Sequence, residues 1–158
     1  MRVLFYFMRP IATVLCLCLL VLAVSCRNEP HPASQLKRRI VTLPNGQKIT
    51  AEVNVLPIDL ARGMMFRDSL PPDQGMLFIH DTPGTYTYWM YQVRIPLDII
   101  WMDSNRTVVE VAANVPPCKT KASECPHYGG NRTAQYVLEL AAGMAEKYGV
   151  RVGQSIVF

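Results

Sequence analysis

Arg39-Ile40-Val41-Thr42-Leu43-Pro44-Asn45-Gly46-Gln47-Lys48-Ile49-Thr50-Ala51-Glu52-Val53-Asn54-Val55 is the stretch from which the fold class is read. Two apolar-rich runs flank Pro44-Asn45-Gly46, and Asn-Gly is the strongest two-residue signal for a type I′ hairpin because both positions tolerate positive φ. In the second run Ile49, Ala51, Val53 and Val55 alternate with Thr50, Glu52 and Asn54. A period of two puts one set in a core and the other toward water, so the stretch is an antiparallel hairpin with one buried face.

The same signals recur toward the C-terminus. Pro57 to Phe66 reads as a short helix, with Pro57 in the first turn and Asp59 at the positive end of the dipole. Gly75 to His80, Thr85 to Tyr91 and Leu97 to Met102 are strand-like runs, rich in aromatic and branched residues. Asp103-Ser104-Asn105 turns the third of them into Thr107 to Val115, a second hairpin. Ala134 to Leu140 is expected as a strand, Ala141 to Tyr148 as a helix stopped by Gly149, and Gln154 to Phe158 as a closing strand. Many short strands with two short helices predict an α+β, mostly β domain built on a compact, partly closed, barrel-like small sheet.

Upstream of this domain the chain carries an address. Arg2 and Arg9 form a basic start, Ile11 to Val24 is apolar or small throughout, and Ala23-Val24-Ser25 precedes Cys26. This is the layout of a secretory signal, and the apolar run falls short of the roughly 20 residues of a membrane span. Ala23 and Ser25 also satisfy the ordinary signal peptidase, so the thiol decides: Ala23-Val24-Ser25-Cys26 resembles the lipobox of bacterial lipoproteins. Residues 1–25 are then a signal peptide and Cys26 the lipidated first residue of a mature chain facing a non-cytoplasmic compartment of the cell envelope. Residues 26–38 form a solvated linker and residues 39–158 a single domain. The membrane, through that lipid, is the expected partner.

Loss of the signal removes two arginines and takes the net charge from +4 to +2, with both signs interspersed. Nothing in that distribution supports nucleic acid binding. Cys16 and Cys18 leave with the signal, which isolates Cys118 and Cys125 as a pair across a short loop. In an oxidising compartment a disulfide is the simplest reading. With His127 two residues on, the same cysteines offer zinc three ligands, although their spacing is wider than the usual Cys-x₂₋₄-Cys.

Two carboxylates stand inside apolar runs. Asp98 lies between Leu97 and Ile99, and Glu139 between Leu138 and Leu140. A buried charge needs partners, either backbone donors or an arginine such as Arg62 or Arg67. As a functional set, Arg67, Asp98 and Glu139 would line a pocket beside Trp89, with Arg62 as a further binding residue. As a structural set they are ion pairs or strand-end caps. Hydrolysis by paired carboxylates requires Asp98 and Glu139 to face each other across about 5 to 9 Å. Met64, Met65, Met76, Met90 and Met102 with His80 offer soft ligands for Cu(I), but their spacing equally suits core positions. Neither a nucleophile elbow nor a His-Glu-x-x-His is present, and no cofactor or resident metal is predicted. Function thus divides between a ligand- or protein-binding accessory module, an envelope hydrolase and a copper-binding protein.

Seven segments occur in an order that resembles the Domain of Unknown Function 192 family. They are Ala61 to Arg67, Gly75 to Phe78, Trp89-Met90, Ile95 to Ile100, Asn114 to Cys118, Cys125-Pro126 and Tyr136 to Leu140, within a match from Val41 to Phe158. The resemblance implies a small, mostly β single domain, often secreted or lipid-anchored, and no established reaction. Tyr91-Gln92 stands where the family commonly has a basic residue and asparagine, and His80 where an aromatic or apolar residue is usual.

Overall fold

A computed structural model describes residues 37–158. The expected signal peptide, Cys26 and nearly all of the expected linker lie outside these residues. The order is β1 (Lys37–Thr42), β2 (Lys48–Asn54), α1 (Pro57–Arg62), β3 (Gln74–Gly84), β4 (Thr87–Trp89), β5 (Leu97–Met102), β6 (Val108–Val115), a 3₁₀ turn (Ala122–Glu124), β7 (His127–Gly129), β8 (Ala134–Ala141) and α2 (Met144–Lys147). Six strands form one sheet in the order β1-β2-β3-β8-β5-β6, while β4 and β7 make a separate two-stranded ribbon. Among the described strands only β2 and β3 pair in parallel, with α1 in the crossover between them.

The first hairpin forms with a different turn from the expected one. Gly46 N–H donates to the Leu43 carbonyl and Leu43 N–H to that of Gln47, which leaves Pro44-Asn45-Gly46 as a three-residue loop. Among these residues only Gly46 has positive φ, at 85°. Pro44 holds φ near −65°, which suits the first central position of an ordinary turn, and the glycine then supplies the left-handed step of a bulge. In the second hairpin Arg106 takes that step at φ 64°, while Asp103 Oδ1 accepts the Asn105 and Thr107 amides at 2.9 Å each.

Alternation along the strands divides the core in two. Leu77, Ile100, Met102, Leu138 and Leu140 join the hairpin residues Val41, Ile49, Ala51 and Val53 on one face. Met76, Phe78, Leu97, Ile99, Trp101 and Val137 pack on the other. The central strand β5 is therefore buried along its whole length. Both clusters lie within residues 41–156, so the domain carries its own core.

The sheet is not a closed barrel, because its edge strands β1 and β6 do not pair. Closure is left to the C-terminal tail. Val157 bridges Thr42 at the end of β1 and Ser155 bridges Thr107 just before β6, as isolated bridges in place of the expected closing strand. The predicted helices also shorten. Gly63, with φ 45°, ends α1 at Arg62, and β8 runs through Ala141 so that α2 keeps a single turn.

The β4–β7 ribbon lies over Trp101, whose indole N–H donates to the Tyr86 carbonyl at 2.9 Å. A Cβ at Gly129 would stand 2.2 Å from Trp101 Cζ2, and the residue has φ 75°. Only glycine lets the ribbon come down onto the indole. Cys118 and Cys125 form a disulfide with Cα atoms 5.7 Å apart, anchoring the loop that leads into β7. The zinc reading falls with it, since both thiolates are consumed.

Candidate functional site

α1 and the turn after it, the end of β3 and the ribbon strand β4 enclose a cleft of about 400 Å³. Its walls include Leu60, Met65, Phe78, Tyr88 and Trp89, and Glu139 enters from β8. The floor position follows from register. Glu139 pairs with Met76 on one side and Ile99 on the other, so its side chain points to the face that carries Phe78 and Trp101. At Gly63 a Cβ would lie 3.3 Å from Phe78 Cζ and 4.0 Å from Glu139 Oε2, so the glycine keeps space open over the carboxyl.

Glu139 is 4 % exposed, and its Oε2 is buried without a hydrogen-bond partner. Burial pushes its carboxyl up to about 8, against a smaller downward pull from the charge of Arg67. Glu139 is thus protonated at neutral pH and holds an O–H donor at the cleft. Arg67 does not neutralise it. Its guanidinium instead grips the Glu52 carboxylate through two bonds, of 3.0 and 2.5 Å.

Beside the carboxyl stands an aromatic cluster that the sequence pattern does not resolve as a unit. The His80 ring stacks on Tyr86 at 3.5 Å with 6° between planes, and its Nε2 lies 3.2 Å from the Tyr88 hydroxyl. Tyr88 meets Phe78 and Trp101 edge-on, at 5.1 and 5.9 Å. Burial, then the nearby Glu139 and Tyr86, push the Tyr88 phenol well above its ordinary range. Desolvation holds the His80 imidazole below its usual value, with Asp81 opposing. Both rings therefore remain neutral hydrogen-bonding groups at physiological pH.

The expected site residues separate. Arg62, Trp89 and Glu139 line the cleft; Arg67 is tied to Glu52; Asp98 is on the other face of the sheet. Asp98 pairs with Leu140, and its two oxygens accept the Asn114 and Ala145 amides at 2.7 Å each. Of the partners open to it, backbone donors won over arginine, and they tie β5 to α2 and to the end of β6. Because Asp98 and Glu139 are adjacent in register but point to opposite faces, they cannot flank one bond as a hydrolytic pair.

The methionines do not converge either. Met64, Met76 and Met90 pack in the cluster beneath the cleft, whereas Met102 lies in the opposite one. Among the described residues no group of three His, Cys, Asp or Glu side chains is placed to hold a metal ion, and no helix is long and apolar enough to cross a membrane.

Two solved structures share this architecture. A protein of unknown function from Novosphingobium aromaticivorans DSM 12444 is 30% identical, with a TM-score of 0.70 over 81% of this chain and 90% of that one. A protein of Sinorhizobium meliloti 1021, described as a proposed transcription regulator, is 28% identical, with a TM-score of 0.65 over 76% of this chain and 91% of that one. No curated protein matches the chain. The family profile of DUF192, described as an uncharacterized ACR, matches residues 40–158, and the chain belongs to that family.

Proposed function

We propose that the domain is a binding module of the cell envelope, whose cleft takes a small, mainly apolar molecule carrying one uncharged hydrogen-bond acceptor. The observation that carries this reading is the partnerless Oε2 of Glu139 at the cleft. More than nine-tenths of buried polar groups in folded proteins are paired, so an orphan beside an open space marks the place of a ligand atom. Protonated Glu139 suits a carbonyl, ether or hydroxyl oxygen, and the aromatic walls suit a flat or branched body. The charge of Arg62 in the cleft wall disfavours a cation. The lipobox-like Cys26 and the Cys118–Cys125 disulfide support an envelope address, since such bridges persist in oxidising compartments.

A panel of neutral aryl amides and aryl ketones, titrated into ¹⁵N-labelled protein, tests the reading. Binders should move the Trp89 indole and Gly63 amide resonances, lose about tenfold or more in affinity in Glu139→Leu, and weaken as pH rises through about 8. Shifts confined to other regions, or binding indifferent to Glu139, would refute it.

A further inference from the structure

Val55, Leu56, Pro57 and Ile58 are four consecutive apolar residues, and all are exposed; Ile58 reaches 73 %. Such a run is a fault in a soluble surface unless something covers it. Its position indicates what does. Lys37 at the start of β1 pairs with Val53, so the point where the chain from Cys26 enters the domain lies beside the end of β2, directly before this run. Lys37, Arg38 and Arg39 are exposed there. Arg38 and Ile40, the latter 56 % exposed, pair with Glu52 and Thr50 and share their face of the sheet. The carboxylate of α1, Asp59, is half-buried, while Arg62 at the end of the helix is exposed. Between Cys26 and Lys37 there are too few residues to span more than about 40 Å, so a lipid at Cys26 keeps this edge close to a bilayer.

We propose that this edge docks on an anionic lipid bilayer. Val55, Leu56 and Ile58 enter the boundary between headgroups and acyl chains, and Lys37, Arg38 and Arg39 meet the headgroup phosphates. Apolar side chains rimmed by cations are the combination that holds a peripheral surface on such a membrane. α1 then serves two surfaces, with Ile58 toward the bilayer and Leu60 in the wall of the cleft.

The test uses the chain from Arg27 to Phe158, which keeps the whole core and has no thiol at residue 26, so that no lipid anchor contributes. It should sediment with phosphatidylglycerol–phosphatidylcholine vesicles and be released by raised salt. Leu56→Asp with Ile58→Asp should weaken vesicle binding by tenfold or more. Both replacements suit folding, because aspartate is favoured at the start of a helix and Leu56 provides no side-chain cap. An unchanged thermal midpoint and an unchanged Trp89 indole resonance in the free protein would show that neither the fold nor the cleft was touched. Failure of the parent chain to sediment, or equal sedimentation of the double variant, would overturn the proposal. So would a dimer formed without vesicles and abolished by the same two substitutions, which would assign the patch to a second copy of the chain.

Discussion

Two carboxylates one register step apart on neighbouring strands meet opposite fates. Asp98 accepts two backbone amides and is structural. Replacing it by alanine leaves the buried Ala145 N–H and the part-buried Asn114 N–H without acceptors, and unfolding in urea should show a loss of about 3 kcal/mol. Glu139 has no such donors at Oε2, and its carboxyl is raised from the ordinary 4.5 to about 8. A group raised in the folded state contributes stability that is complete below its unfolded pKa and is lost as pH climbs through the folded one. Relative to Glu139→Gln, which cannot ionise, the wild type should therefore lose stability between about pH 4.5 and 8, by a few kcal/mol in total. Parallel denaturation curves for the two proteins across pH 4 to 9 check this. A constant difference over that range would mean that the carboxyl is already paired or solvated.

Among elements, the short ribbon of β4 and β7 does most to shape the site, and it was the least legible. Thr85 to Tyr91 reads as one strand, but β4 keeps only Thr87–Trp89, Tyr91 makes an isolated bridge to Cys118, and the partner of β4, His127–Gly129, lies in a loop with no alternation to announce it. The ribbon depends on Gly129 seated against Trp101. Gly129→Ala adds a methyl group where the indole already stands, at a positive φ. It should cost about 2 kcal/mol or more and alter the near-ultraviolet circular dichroism of Trp101. An unperturbed spectrum would show that the ribbon can lift without disturbing the core. The first hairpin shows the opposite case. Its strands were visible in period-two alternation, and only the turn type changed, because Pro44 acts on its own φ before Asn45-Gly46 can form a two-residue loop.

For the whole molecule, the sheet remains open, and the C-terminal tail fastens both edges through Val157 and Ser155. Pairing those edges limits the unpaired backbone that would otherwise invite strand addition. The proposed envelope address is tested in the cell. Cells expressing the protein and fed radiolabelled palmitate should label the wild type and not Cys26→Ser. No label on the wild type, or label on the variant, would remove the lipid anchor from the functional reading.

Local chemistry was enough to mark most strands, both hairpins and the cysteine pair. Alternation, turn residues and loop closure act over a few neighbouring positions, and those are readable along a single chain. The presence of Asp98 and Glu139 in apolar runs was equally plain, as was their need for partners. Which partners they found was not, because a strand's two faces look alike until its neighbours are known. Only the tertiary structure placed β3 beside β2 in parallel and β8 between β3 and β5. That order turned Glu139 toward Gly63, Phe78 and Tyr88 and Asp98 toward α2. The cleft is the sum of contacts between residues as distant as Leu60 and Glu139, and such a sum is set by strand order and register rather than by any one segment.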